Sequence, residues 1–122
     1  MSGYTDQQAL NQIALLLSGG VPISELTTSS PTHGGKDVAT AGTAVALASS
    51  TDCRVLVIQA KPGNTGNIYV GDSGVSSSAY GFVLTAGESI PLVAPTGTKL
   101  DIAEHFIDSD NNGEGVTFMY WG

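Results

Sequence analysis

The chain predicts a mainly β fold: an antiparallel β-sandwich or jelly-roll-like barrel of seven or eight strands, with an N-terminal helix and an extended arm. Three observations carry that expectation. From Val38 onward, short apolar runs alternate with clusters of Gly, Ser, Asp and Pro at close spacing, as in sandwiches and barrels. The run from Gly66 to Leu92 reads strand, turn, strand, turn, strand, with almost no charge. In Val55–Gln59, Val55, Val57 and Gln59 alternate with Leu56 and Ile58. Both faces of that run are largely apolar, which predicts a central strand buried on both sides.

Taken in order, residues 1–37 form the helix and arm and 38–122 the sandwich. Thr5 and Gln8 have capping-box spacing, and Asp6 suits the positive end of a helix dipole. Leu10, Ile13, Ala14 and Leu17 recur at helical spacing as one apolar stripe, and Gly19–Gly20 stop the helix. A helix this short is marginal alone and needs a surface to pack on. Residues 21–37 show no periodicity, and Pro22 and Pro31 bias their preceding residues away from helix. On such a tether the helix can dock on a neighbouring subunit or fold back on its own sandwich; the sequence leaves both open.

The expected strands are Thr43–Ala48, Cys53–Ala60, Asn67–Val70, Gly81–Thr85, Ser89–Ala94, Lys99–Ile107 and Val116–Trp121, with Val38–Thr40 as a short edge strand. Turns fall at Ser49–Asp52, Pro62–Gly66, Gly71–Ser78, Ala86–Glu88 and Pro95–Gly97. In the last strand Val116, Phe118 and Tyr120 share one face, and Thr117, Met119 and Trp121 the other.

The 122 residues fit one domain, large enough to bury a core without staples. Charged residues are 12% of the chain, against about 25% in an ordinary soluble domain. A surface of neutral polar groups costs less to desolvate than one of charges, which favours assembly. Net charge is −7, and the four basic residues, Lys36, Arg54, Lys61 and Lys99, are scattered. That excludes a basic patch for nucleic acid and disfavours an anionic membrane surface. The first residues are polar and no apolar run approaches about 20 residues, so neither a secretory leader nor a membrane span is expected. Cys53 is the sole cysteine and reads as a small buried hydrophobe, which fits a reducing cytoplasm.

No reaction can be read from the residues. Asp108, Asp110 and Asn112, followed by Gly113, match the first half of a calcium loop, but Met119 stands where the bidentate Glu belongs. A β-hairpin turn at Asn112–Gly113 is the favoured reading, with a cation on Asp108, Asp110 and Asn112 as the alternative. His33 lies in the arm. His105 lies in an expected strand, too far along it from Asp101 for a hydrogen bond. No nucleophile elbow is present, and the Gly-rich segments Gly63–Gly66 and Gly71–Gly74 lack the following helix of a phosphate loop. The aromatics are spaced as core and cross-strand packers. No cofactor is expected and no enzyme activity, although a small hydrolase is a third class to test.

The segments TAVALA, VLVIQA, NTGNIYVGD and GFVLTAGESIPL, within about residues 40–94, carry a resemblance. The stretch resembles small β-sandwich virion proteins of tailed bacteriophages, of the head decoration (cement) type. Asn67–Gly71 and Leu84–Glu88 are its most specific pieces. The resemblance implies a structural protein present in many copies, made in the host bacterial cytoplasm and carried on the capsid surface of the virion. Its implied partners are the major capsid protein and copies of itself, as a homotrimer. Leu10, Ile13, Leu17 and Trp121 are the expected interface residues. A neck or tail accessory protein, or a receptor- or glycan-binding module using Trp121, Tyr120 or Tyr80, is the alternative.

Overall fold

Residues 29–122 are described by a computed structural model. Their strands are β1 (Thr32–Asp37), β2 (Val45–Ala46), β3 (Asp52–Cys53), β4 (Val55–Ala60), β5 (Ile68–Gly71), β6 (Phe82–Leu84), β7 (Ser89–Val93), β8 (Leu100–Asp101), β9 (Phe106–Ser109) and β10 (Gly115–Trp121). All pairings are antiparallel. One sheet has the order β1-β10-β4-β7, a second β2-β9-β5-β6, and β3 pairs with β8 as a small third sheet. Position by position, each strand of the first sheet has its neighbour in sequence at the same place in the second. That is the jelly-roll order, in which the chain folds back and forth between two sheets.

The core forms where the apolar faces of the two sheets meet. Leu56, Ile58 and Ala60 of β4 and Val116 and Phe118 of β10 supply one side. Ile68, Val70, Leu84 and Ile107 supply the other. Strand period two puts these residues on one face of each sheet. Val38, Leu47, Cys53 and Ile102 close the ends, all at 2% exposure or less. Gly34 sits opposite Phe118 in β1, and the Phe118 ring fills the space a Cβ there would need. At Gly115 a Cβ would run into the Lys36 carbonyl, so the close approach of β1 and β10 requires glycine.

Several expected boundaries change. The tail of the segment read as arm, Thr32–Asp37, is edge strand β1, zipped along β10 from Thr32 opposite Tyr120 to Asp37 opposite Gly115. Two glycines hid it, because their place in a strand depends on the partner and not on propensity. Val38–Thr40 is not a strand; Val38 plugs the core while its N–H and C=O bind Glu114 and Gly113. The expected Cys53–Ala60 strand divides at Arg54. Cys53 pairs with Leu100 in the small sheet, and Val55 with Trp121 and Val93 in the first. Lys99–Ile107 divides at Asp101, whose side chain accepts the Ala103 N–H and caps a 3-10 turn over Ile102–Glu104. His105 therefore leaves the strand, and its Nδ1 lies 2.8 Å from the Asp101 carbonyl oxygen. Thr43–Ala48 shrinks to Val45–Ala46. Asn112–Gly113 does turn the chain, with Gly113 at φ 80, but β9 and β10 lie in different sheets, so the turn crosses the sandwich and makes no hairpin. The expected helix and its Leu10, Ile13 and Leu17 lie outside the described residues.

Candidate docking surface

β4 sits in the middle of the first sheet, as expected, but among the described residues only one of its faces is covered. Leu56, Ile58 and Ala60 are fully buried; Val55 and Val57 are half-buried and Gln59 is exposed. Register places their neighbours on the same outer face. Trp121, Val55 and Val93 form one row across β10, β4 and β7. Met119, Val57 and Pro91 form the next, continued on β1 by His33. Thr117, Gln59 and Ser89 form a polar third. Val93 is 66% exposed and Met119 40%. An open groove of about 370 Å³ lies here, lined by His33, Val57, Gln59, Ser89, Thr117 and Met119.

The chemistry of this face is unusual for a sheet turned to water. One-sided antiparallel sheets alternate apolar inward and polar outward. Here two adjacent rows are apolar outward as well, and the three rows contain no Asp, Glu, Lys or Arg. Covering such a surface removes apolar area from water without stripping any charge, a gain of about 25 cal/mol per square ångström before the costs of association. Pro91 lies in edge strand β7, where its missing N–H discourages a further strand from pairing. The face therefore offers side chains for contact. The nearest ion pair, Lys61 Nζ to Asp37 Oδ1 at 2.6 Å, is well exposed and adds little stability.

The acidic residues elsewhere serve as staples between loops. Asp108 is 1% exposed and its Oδ1 accepts the N–H groups of Gly42 (2.9 Å) and Ser109 (2.8 Å). Asp110 accepts the Asn67 N–H and the Tyr69 hydroxyl, at 2.9 and 2.8 Å. Asn112 Oδ1 accepts the Ala41 N–H at 2.8 Å. The three side chains considered for a cation are thus each engaged with protein donors, Asp108 and Asn112 on the Ala41–Gly42 loop and Asp110 on Asn67 and Tyr69. Among the described residues no group of three or more His, Cys, Asp or Glu could hold a metal.

Glu114 is the acid that the half-loop pattern left aside. Its carboxylate accepts the N–H groups of Thr65 (2.6 Å) and Gly66 (2.9 Å), the Thr65 hydroxyl and the Asn111 amide. These donors favour the charged form and bring its pKa down to about 2. Asp101 is likewise lowered, by the Ser50 hydroxyl and then the Ala103 N–H. Cys53 is fully buried, and burial first, then Asp52 and Asp101, raises its thiol pKa. His33 is on the first sheet and His105 beside β9 of the second, so the structure does not join them with a third group as a catalytic set.

Of the aromatics proposed for a sugar, Tyr120 points inward and stacks on Phe118 at 6.2 Å, whereas Trp121 is on the outer face. Tyr80 lies on the loop after β5, 5.2 Å from the Tyr69 ring. The three make no common platform. Trp121, expected at an interface, does stand on the apolar face. Val57, Pro91, Val93 and Met119 were not singled out from sequence, although the two apolar faces of β4 were the signal. No protein-family model matches the chain, and comparison with curated proteins and with solved structures returns no match.

Proposed function

We propose that this chain is a structural protein of a tailed-phage virion, a head decoration protein that binds and stabilises the capsid shell as a homotrimer. The observation that carries the proposal is the apolar face of β4, β7 and β10, which nothing among the described residues covers, on a strand whose sequence calls for burial on both sides. The mechanism is burial of apolar and neutral polar surface across subunit boundaries, where sparse charge keeps desolvation inexpensive. The resemblance of residues 40–94 to decoration proteins supports the reading, and a jelly roll is a fold that capsid proteins use, an argument by analogy alone. The test is copy number per purified virion by quantitative mass spectrometry against the major capsid protein. A ratio near one per capsid subunit is expected. A dozen copies or fewer would move the protein to the neck or tail, and absence from the particle would overturn the proposal.

A further inference from the structure

We infer that the outer face of the first sheet receives the N-terminal segment, residues 5–18, of a neighbouring copy of this chain, so that arms pass from subunit to subunit. The inference deepens the assembly reading above and rests on it. The first reason is complementarity. The face is apolar and lacks charge, and Leu10, Ile13, Ala14 and Leu17 form the one apolar stripe in the sequence that no described strand uses. A single helix laid across a groove is a standard way to cover such a surface, through anchors at i, i+3, i+4 and i+7.

The second reason is where the chain leaves the sandwich. Thr32 pairs with Tyr120, one residue from the end of β10, and the strands run antiparallel. Residues 29–31 therefore run off the sheet beyond Trp121, at the corner of the apolar face. Ser29, Ser30 and Pro31 are exposed, and Pro31 holds Ser30 extended. The linker 19–31 has thirteen residues. Extended, it reaches about 43 Å, beyond the width of a domain whose radius of gyration is about 13 Å. It can deliver the stripe to an adjoining copy.

The third reason is concentration. A short tether offers its own face about a millimolar effective concentration. Copies packed side by side on a shell present their segments to one another at a similar level, and an exit past the end of the sheet over residues 29–31 favours the neighbour. Giving one segment and receiving another is a heterologous contact, which closes into a ring where the rotation between copies closes.

The test is cysteine cross-linking in the full-length chain. One variant carries Ile13→Cys and a second Met119→Cys; they are co-expressed and mildly oxidised. Buried Cys53 stays in place, and each single variant alone is the control for its participation. The inference predicts a disulfide-linked heterodimer, and a ladder to trimer when both substitutions are in one chain. A cross-link confined to single chains of the double variant would overturn it in favour of the chain's own segment. No cross-link would assign the face to another occupant. As a second measurement, L10D/L17D should reduce the solution mass to that of a monomer, shift Trp121 emission to the red and give an unfolding midpoint that no longer depends on protein concentration. An unchanged mass and emission would also overturn the inference. Copy number on the particle is independent of these results, so the two readings can fail separately.

Discussion

Removing the Asp108 carboxylate should unfold the sandwich at distinctly lower temperature, with no involvement of a cation. Asp108 is buried in β9, and its Oδ1 serves the N–H groups of Gly42 and Ser109 at 2.9 and 2.8 Å. Asp108→Ala removes the one oxygen that accepts both bonds. Ser109 is buried, so its N–H bears most of the desolvation penalty, about 1–3 kcal/mol. Gly42 is exposed and water can replace its partner, which limits that loss to about 0.5–1.5 kcal/mol. Together the loss is about 1.5–4.5 kcal/mol, or on the order of 10 °C in midpoint for a domain of this size. Asp108→Asn keeps the oxygen and should lose less than half as much. Thermal and urea unfolding followed by circular dichroism reads both. A loss below about 0.5 kcal/mol in Asp108→Ala would refute the staple. So would a wild-type midpoint that calcium raises and chelation lowers.

Three further outcomes follow from the same geometry. Glu114 has its pKa lowered from 4.5 to about 2, so its stabilising contribution is complete above pH 4.5 and is lost as pH falls toward 2. Glu88 and Asp101 are shifted in the same direction. The unfolding midpoint should therefore be flat above about pH 5 and fall below it, and Glu114→Gln should flatten that fall; an unaltered acid limb in the variant would contradict the assignment. Ile58→Ala empties a fully buried site in β4 and should cost about 2–5 kcal/mol in urea titration, whereas Val57→Ala, one residue along on the outer face, should cost under about 1 kcal/mol. Equal losses would mean the two faces are misassigned. Cys53 should react with a thiol reagent only on global unfolding, because burial both shields it and disfavours its thiolate.

Much of the fold was legible because strand periodicity survives in single segments. Leu56, Ile58, Val116 and Phe118 point inward as their alternation requires, and the β5–β6 and β6–β7 turns fall in the Gly- and Ser-rich stretches. What was not legible depends on partners. β1 carries His-Gly-Gly, which has no strand preference, and exists because Phe118 lies over Gly34 and β10 offers its edge. The break at Arg54 arises where the chain changes from one sheet to another, which no local pattern encodes. Asp101 looked like a strand residue, and its capping of the 3-10 turn shows only once Ser50 and Thr51 are packed beside it.

The candidate site was half legible. The two apolar faces of β4 correctly marked that strand as central and demanded a cover on each side. They could not say that the second cover is missing from residues 29–122, nor that Met119, Pro91 and Val93 complete the patch, since those neighbours come from β10 and β7. The acidic half-loop shows the reverse. Its residue types fit a cation, but Asp108 and Asn112 are spent on the Ala41–Gly42 loop and Asp110 on Asn67.

The most direct test of the central claim, that the outer face of the first sheet is an assembly contact, is incorporation of Met119→Asp into particles. Met119 is 40% exposed and outside the core, so the variant should unfold at the wild-type midpoint. A carboxylate there must be desolvated when the face is covered, so the account predicts that the folded variant fails to co-sediment with heads that wild type decorates. A variant that decorates heads as fully as wild type would contradict it.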